Sequence, residues 1–353
     1  MSGIRMKQSN HPKVTVVTVT YNAEQYLEQT IKSVAEQDYP NIEYIIIDGA
    51  STDGTIDIIK KYEKYIIYWI SEPDGGIYDA MNKAIDAATG EWINFMNAGD
   101  SFCEKNTLSE VIKNLDSNTD LICGDIYYLE NNKKTYRKAK GIDGGFNGIF
   151  CCHQALFTKT NIMKEKKFSL EFPIAADYNF VLSCFVKKYN FQFINFPIVD
   201  FLAGGFSEQE NFRANIESIK ILLDYSNDSK LARESNFYKS LHFDSNIDNF
   251  KFSKQFNSFY NSIESLSKKY SKIALYGYGT IGKTIHSLLK EKVSVIFDKN
   301  NFTITDVDVY SPEDILNFDF EIIIIAVLGR ELKIKEQILN HGVNANKIIV
   351  LQL

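Results

Sequence analysis

Asp74, Asp79, Asn82 and Asp100 fall within one stretch, Ser71 to Phe102, with the sequence SEPDGGIYDAMNKAIDAATGEWINFMNAGDSF. The stretch joins an acidic Gly-bearing turn, a helix and a strand with a polar tip, so these four side chains are expected around one cleft. A fifth oxygen-bearing residue, Asp48, ends the run YIIID. A buried carboxylate there can accept a hydrogen bond from a base imino group, which uracil, thymine and guanine carry and cytosine lacks. That chemistry does not separate UDP from GDP. Capping of the next helix is the other use of DGASTDGT, and it suits Ser51 or Asp53 better than Asp48.

The elements that must position these groups follow from periodicity. EPDGG reads as a turn, and from Tyr78 to Ala88 the residues Ile77, Met81, Ile85 and Ala88 keep helical spacing, so that helix buries one side. Gly90 stops it. Trp92 to Met96 is a short apolar run of the kind that forms a buried strand, and its carboxyl end carries NAGD, where ligands bind in such sheets. From Val14 the order is VTVVTVT, a helix through Tyr26 to Ala35, YIIIDG, a helix from Thr55, and YIIYWI. Strand and helix alternate, which predicts an α/β fold with a mostly parallel sheet. A helix near Glu104 to Leu115, the strand LICGDIYY, the basic strand KKTYRKAK and the loop GIDGGFNG come next, and these longer connections suggest an acceptor-facing region.

At 353 residues the chain exceeds one ordinary domain. Its net charge of −6 supplies no global attraction for nucleic acid. The five cysteines, Cys103, Cys123, Cys151, Cys152 and Cys184, lack the CxxC pairs of a zinc site. Vicinal Cys151 and Cys152 read as a reduced structural pair. The N-terminus is polar, and the longest aliphatic run, Ile322 to Leu328, is too short to span a bilayer. A cytosolic protein is expected.

Between Phe206 and Tyr270 the pattern becomes helical, with Phe212, Ile216, Ile219 and Leu223 in one stripe and Phe252, Phe256, Phe259, Ile263, Leu266 and Tyr270 in another. These read as linker helices. The second stripe suits packing in a core or a homodimer, and less well a peripheral contact with the inner face of the plasma membrane. From Ser271 a second α/β unit begins with KIALY and GYGTIG. Gly277, Gly279 and Gly282 match GxGxxG, and Asp298 ends the next strand at the spacing of a ribose-binding acid. Roughly 80 residues make only one half of a dinucleotide fold, and no catalytic Tyr-Lys pair follows. The expected organisation is a tail over 1–12, a catalytic domain over 13–205, a helical linker over 206–270 and a small Rossmann-like domain over 271–353.

Taken in order, VTVVTVTYNAEQYLEQTIKSVAEQDYPNIEYIIIDGASTDGT, EPDGGIYDAMNKAI, GEWINFMNAGD, HQALF and AADYNF resemble the family 2 glycosyltransferases of GT-A fold, over about residues 14 to 205. The nearest flavour is bacterial enzymes of capsule, exopolysaccharide or lipopolysaccharide synthesis. The resemblance implies a nucleotide-sugar donor held by Thr18, Tyr21, Asp48 and the segment from Asp74 through Asp79 to Asn82. It also implies Mg²⁺ or Mn²⁺ on the diphosphate, whose charge grows as the glycosidic bond breaks. The usual DxD tip here reads Asn97-Ala98-Gly99-Asp100, leaving Asp100 as the metal candidate and Asn97 for an amide oxygen or the ribose; metal-dependent and metal-independent variants both stay open.

An inverting transfer needs a base for the acceptor hydroxyl proton. The resemblance points to Asp177 in PIAADYNF, where many members read Glu-Asp and this chain has Ala176 before it. Asp177 also suits a helix N-terminal charge. His153 and Gln154 match a His-Gln pair that would face the donor sugar or the metal, whereas His286 and His341 read as ordinary polar groups. The loop LAGGFSEQENFR could close over the site with Gly204 and Gly205 as hinges, and Arg213 reads as a structural ion pair. Three functions compete: inverting transfer of a sugar from a UDP- or GDP-sugar to a glycan or lipid-linked glycan, a nicotinamide-dependent sugar-nucleotide oxidoreductase or epimerase using the GxGxxG, and a non-catalytic nucleotide-binding scaffold.

Overall fold

The computed structural model of the protein describes residues 11–131, 133–141, 146, 150–205, 208, 210–226, 228–241, 249–300, 304, 306–327 and 329–351. Most of the expected N-terminal tail, most of the GIDGGFNG loop, Phe206, Ser207 and Gln209 of the expected closing loop, Leu328 and the side chain of Phe252 lie outside them. The chain divides into two compact units, 1–209 and 210–353.

In the first unit, β1 (Val14–Thr20) is buried along its whole length, as a β-branched run covered on both faces should be. It pairs in parallel with β2 (Ile42–Asp48), with Thr20 opposite Asp48. In turn β2 pairs with β3 (Tyr68–Ser71), with Asp48 opposite Ser71. On the other side of β1 lies β4 (Trp92–Phe95), also parallel. Four carboxyl ends therefore finish together and deliver Tyr21, Asp48, Asp74 and the Asn97–Asp100 turn to one crevice. The order β3-β2-β1-β4 places the topological switch at β1 and β4.

Beyond β4 the sheet departs from the parallel expectation. Among the described residues the order continues β8 (Leu156–Lys159), β6 (Leu121–Glu130), β9 (Phe191–Leu202) and β5 (Ser101–Phe102), with β7 (Lys133–Arg137) on β6. The pairs of β8 with β4 and β6 are antiparallel. The reason is the route of the chain: the 3₁₀ turn His153–Ala155 returns over the carboxyl end of β4, where Asn94 Nδ2 donates to the Gln154 and Leu156 carbonyls at 2.8 and 3.0 Å. From there β8 can only run the opposite way.

Helix α1 (Leu27–Ala35) buries Leu27, Ile31 and Val34, and α2 (Thr55–Lys61) follows β2. Helix α3 (Ile77–Ala87) buries Tyr78, Met81, Ala84 and Ile85, close to the expected stripe. Helices α4 (Thr107–Lys113), α5 (Thr160–Lys166) and α6 (Ala176–Val186) complete the unit. Trp92, Tyr44 and Tyr178 are its largest fully buried side chains.

The second unit contains α7 (Asn211–Ser226), α8 (Ser229–Glu234), α9 (Asn236–Ser240) and α10 (Asn249–Lys269), followed by a parallel sheet in the order β12-β11-β10-β13-β14. Its strands are β10 (Ile273–Tyr276), β11 (Val293–Phe297), β12 (Val309–Tyr310), β13 (Ile322–Ile325) and β14 (Ile348–Val350), with α11 (Thr280–Leu289) and α12 (Glu331–Asn340) between them. The helices of 211–269 group with this sheet. Ile216, Ile219 and Leu223 on α7 and Phe256, Phe259 and Ile263 on α10 are buried, so both stripes serve packing. Among the described residues no helix is long and apolar enough to cross a membrane.

A β-carbon on Gly282 would lie 2.2 Å from the Gly277 carbonyl oxygen, so this glycine lets α11 pack against β10. Asp298 turns back on the same turn, accepting from the Tyr278 N–H at 2.7 Å and the Asn300 N–H at 2.8 Å. His286 is buried and shares a 3.0 Å hydrogen bond with the Tyr278 hydroxyl.

Candidate active site

Asp48 is fully buried at the end of β2. Its Oδ2 accepts from the Ser51 N–H at 2.9 Å and the Ser71 hydroxyl at 2.6 Å, and its Oδ1 accepts from the Ser51 hydroxyl at 2.5 Å. Three donors on a carboxylate leave room for about one more. At the start of α2, where Gly54 is the N-cap, it is the preceding Asp53 whose Oδ1 accepts from the Thr55 N–H at 3.0 Å. Asp74 stands beside this strand end: its Oδ2 would be 2.9 Å from a β-carbon on Gly49, and its Oδ1 accepts from the Gly76 N–H at 2.9 Å. Tyr21 is 66% exposed, so its ring is open to a ligand.

Three expected donor contacts are spent on the protein itself. The Thr18 hydroxyl is buried, donates to the Met96 carbonyl at 2.8 Å and lies 2.9 Å from the Tyr44 hydroxyl. Asn82 donates to the Phe168 carbonyl at 3.0 Å and accepts from the Phe168 N–H at 2.9 Å, which consumes both ends of its amide. Asp79 accepts from the Gly75 N–H at 2.9 Å and thereby shapes the acidic turn. Two residues beyond Thr18, at the strand end, the Thr20 hydroxyl is buried without a partner among the described residues. The β-strand period of two puts Thr18 and Thr20 on one face, so only depth along the strand separates them.

At the tip of β4 the Asp100 N–H donates to the Asn97 carbonyl at 3.0 Å, closing the turn, with Gly99 at φ +107°. Glycine adopts that left-handed backbone without the strain a β-carbon brings. Asp100 is 5% exposed, and burial pushes its carboxyl up to about 7, against the opposing effects of the Leu202 N–H, 2.9 Å from Oδ1, and the Gln154 side chain. Gln154 Oε1 in turn accepts from the Cys152 thiol at 3.1 Å. Asn97 Oδ1 is a buried oxygen with no partner among the described residues. An orphaned amide oxygen and a carboxylate in one turn fit a hard divalent cation. Among the described residues no group of three His, Cys, Asp or Glu could enclose an ion, so nucleotide oxygens and water would supply the remaining ligands.

Asp177 occupies the first turn of α6. Its Oδ1 accepts from the Tyr178 N–H at 2.8 Å and lies 3.1 Å from the Tyr78 hydroxyl, which is also 2.9 Å from the Ile174 carbonyl. Oδ2 carries no hydrogen bond among the described residues. Asp177 and His153 line one cavity with Phe150, Cys151, Tyr178 and Val181. The His153 ring stacks on Phe95 at 5.3 Å and meets the edge of Phe168 at 5.5 Å; both ring nitrogens are buried without partners among the described residues. Burial lowers its pKa against the pull of Asp177, so the ring is neutral at physiological pH.

Tyr78, Asn94 and Thr20 had drawn no functional reading from the sequence. Tyr78 lies within GIYDAMN, and its hydroxyl ties α3 to the acid on α6, 99 residues away. The Cys151 and Cys152 thiols are free, and burial holds both in the thiol form. In the second unit Arg213 pairs with buried Glu217 at 2.8 Å.

A parallel half-sheet with acidic strand tips, continued by a mixed half in which β6 and β9 run parallel and β8 antiparallel, with an acid on α6, makes the first unit a GT-A-like α/β domain. Residues 15–186 match the model of glycosyl transferase family 2, and residues 269–349 match a model described as C2185-like, N-terminal. A PGL/p-HBAD biosynthesis glycosyltransferase of Mycobacterium tuberculosis is 31% identical over 182 residues, covering 49% of this chain and 70% of that protein. An uncharacterized glycosyltransferase of the same species is 31% identical over 189 residues, covering 48% of this chain and 68% of that one. The fold is also similar to TarS 1–349 of S. aureus, solved with UDP-GlcNAc, at a TM-score of 0.51 and 17% identity, covering 78% of this chain and 81% of that one. The chain belongs to glycosyl transferase family 2 and is a glycosyltransferase.

Proposed function

We propose that this glycosyltransferase moves a sugar from a UDP- or GDP-sugar to a hydroxyl of a glycan or lipid-linked glycan, with inversion, in the synthesis of a bacterial surface polysaccharide. The observation that carries the reading is Asp177: one carboxylate oxygen is held by Tyr78 and the backbone, and the other has no hydrogen bond among the described residues and borders a cavity shared with His153. In the reaction the acceptor oxygen forms a bond to the anomeric carbon while the bond from that carbon to the diphosphate breaks. The electron pair leaves with the diphosphate, and Asp177 Oδ2 takes the hydroxyl proton.

Asp48 offers its remaining acceptor position to the imino group of the base, and Tyr21 and Asp74 border the same strand end. A neutral His153 can donate one hydrogen bond to a sugar hydroxyl and accept another without adding charge. Asp100 and Asn97 would hold Mn²⁺ or Mg²⁺, which when bound neutralises charge on the departing diphosphate. The proposed setting is cytosolic, where nucleotide sugars are at hand.

The test is donor hydrolysis and thermal stabilisation across UDP-, GDP-, dTDP- and CMP-sugars, with and without Mn²⁺, with NAD⁺ and NADPH in parallel. Turnover of a UDP- or GDP-sugar is expected. Stabilisation by a nicotinamide cofactor with no response to any diphosphate sugar would sink the reading.

A further inference from the structure

A second cleft borders the cavity of Asp177 and His153 and shares Phe150 and Cys151 with it. Its outer wall is Arg137, Lys138 and Lys140, and its floor includes Gly124 and Ile126 of β6. The mechanism above leaves these cations unused. Among the described residues none of the three forms an ion pair, whereas neighbouring Lys134 pairs with Asp200 at 2.8 Å.

The wall is held in place from beneath. Asp125, 2% exposed on β6, accepts the Tyr136 hydroxyl, and its Oδ1 accepts the Ala139 N–H at 2.9 Å. The Lys140 N–H donates to the Phe150 carbonyl at 2.9 Å. The Arg137 guanidinium lies 3.3 Å from the centre of the Tyr128 ring, which fixes its plane. A buried carboxylate thus anchors a strand end whose three cations form no ion pair among the described residues.

We propose that this cleft is an acceptor subsite for a phosphate group, so that the acceptor is a phosphate-bearing glycan carrier; this rests on the transferase reading of the adjoining cavity. Oxygen geometry favours phosphate over carboxylate. A phosphate group takes bidentate bonds from arginine and has further tetrahedrally placed oxygens for the two lysines, and a diphosphate adds a second charge, whereas a uronate offers two coplanar oxygens and one charge to three cations. The shared wall at Phe150 and Cys151 places the anion beside the acid that receives the acceptor proton. The chemistry is common to a lipid diphosphate and to a phosphate of a polymer backbone.

The test uses the full chain with UDP or GDP at saturation, which blocks the donor site, and titrates inorganic pyrophosphate, farnesyl diphosphate and glucuronate by calorimetry. Saturable binding of pyrophosphate is expected, weakened at least tenfold in K138Q/K140Q and unchanged in K134Q. Nucleotide affinity should stay within twofold in both variants, since all three lysines are exposed. Tighter binding of farnesyl diphosphate than of pyrophosphate would support a lipid-linked source, and equal binding a polymer or free phosphate. Absence of saturable phosphate binding, equal binding by K138Q/K140Q, or glucuronate binding as tightly as pyrophosphate would overturn the proposal. So would parallel loss of nucleotide affinity, which would assign the cations to the donor. Failure of the native chain to bind either nucleotide refutes the donor reading separately.

Discussion

Asp100→Asn is expected to stabilise the metal-free protein while destroying transfer, and the gain should grow with pH. Burial raises the Asp100 carboxyl from 3.8 to about 7. A carboxyl raised on folding costs nothing below its unfolded value, and the cost of ionising it accumulates until pH passes the folded one. Removing the ionisation should therefore gain about 1.5 kcal/mol at pH 5 and about 4 kcal/mol at pH 8. Asparagine can keep the bond from the Leu202 N–H, and the Gln154 amide can turn to accept from the new Nδ2. Urea unfolding in EDTA, followed by tryptophan fluorescence, reads the relevant unit, because both tryptophans, Trp69 and Trp92, lie in it. A variant no more stable than the native chain at pH 8, or a gain that does not change with pH, would refute the burial argument.

Asp177→Asn should lower the transfer rate by about 10²–10⁴-fold with donor affinity within threefold, measured by single-turnover kinetics and calorimetry; lost donor affinity would move the residue to the donor side. Tyr78→Phe removes one bond from the same carboxylate, so kcat should fall about tenfold with the donor KM unchanged. Glu43, 7% exposed, accepts from the Thr15 hydroxyl at 2.6 Å and the Thr89 N–H at 2.7 Å, and also from the Thr89 hydroxyl. Burial would raise its pKa, but these donors outweigh it and lower the folded value, so its stabilisation is present above the unfolded 4.5 and lost as pH falls through that folded value. Glu43→Gln should accordingly cost about 2 kcal/mol at pH 7 and progressively less below pH 4.5, read by urea unfolding. Gly282→Ala should destabilise the second unit by about 1–3 kcal/mol, seen by circular dichroism in urea, because its β-carbon meets backbone and not a movable side chain.

Much of the first unit was legible in the chain itself. The runs VTVVTVT and YIIID, the stripe on α3 and the tip after β4 are local patterns, and local periodicity is what decides which faces are buried. Motifs in a fixed order were enough to name a family. Asp48, Asp100 and Asp177 could be singled out because strand ends and first helical turns are visible in one dimension.

What each side chain touches was settled only by tertiary packing. Thr18 and Thr20 look alike in sequence, yet one hydroxyl is sealed between β1, β2 and the end of β4 and the other has no partner among the described residues at the crevice. Asn82 sits in an acidic motif and spends its amide on a backbone 86 residues away. Tyr78 and Asp177 meet across 99 residues, and the reversed direction of β8 follows from a chain return at His153–Ala155 that periodicity does not encode. Sequence sets which elements form because those forces act between near neighbours. The buried hydrogen bonds that tune a carboxylate or occupy an amide form between distant segments, and only the folded chain brings them together.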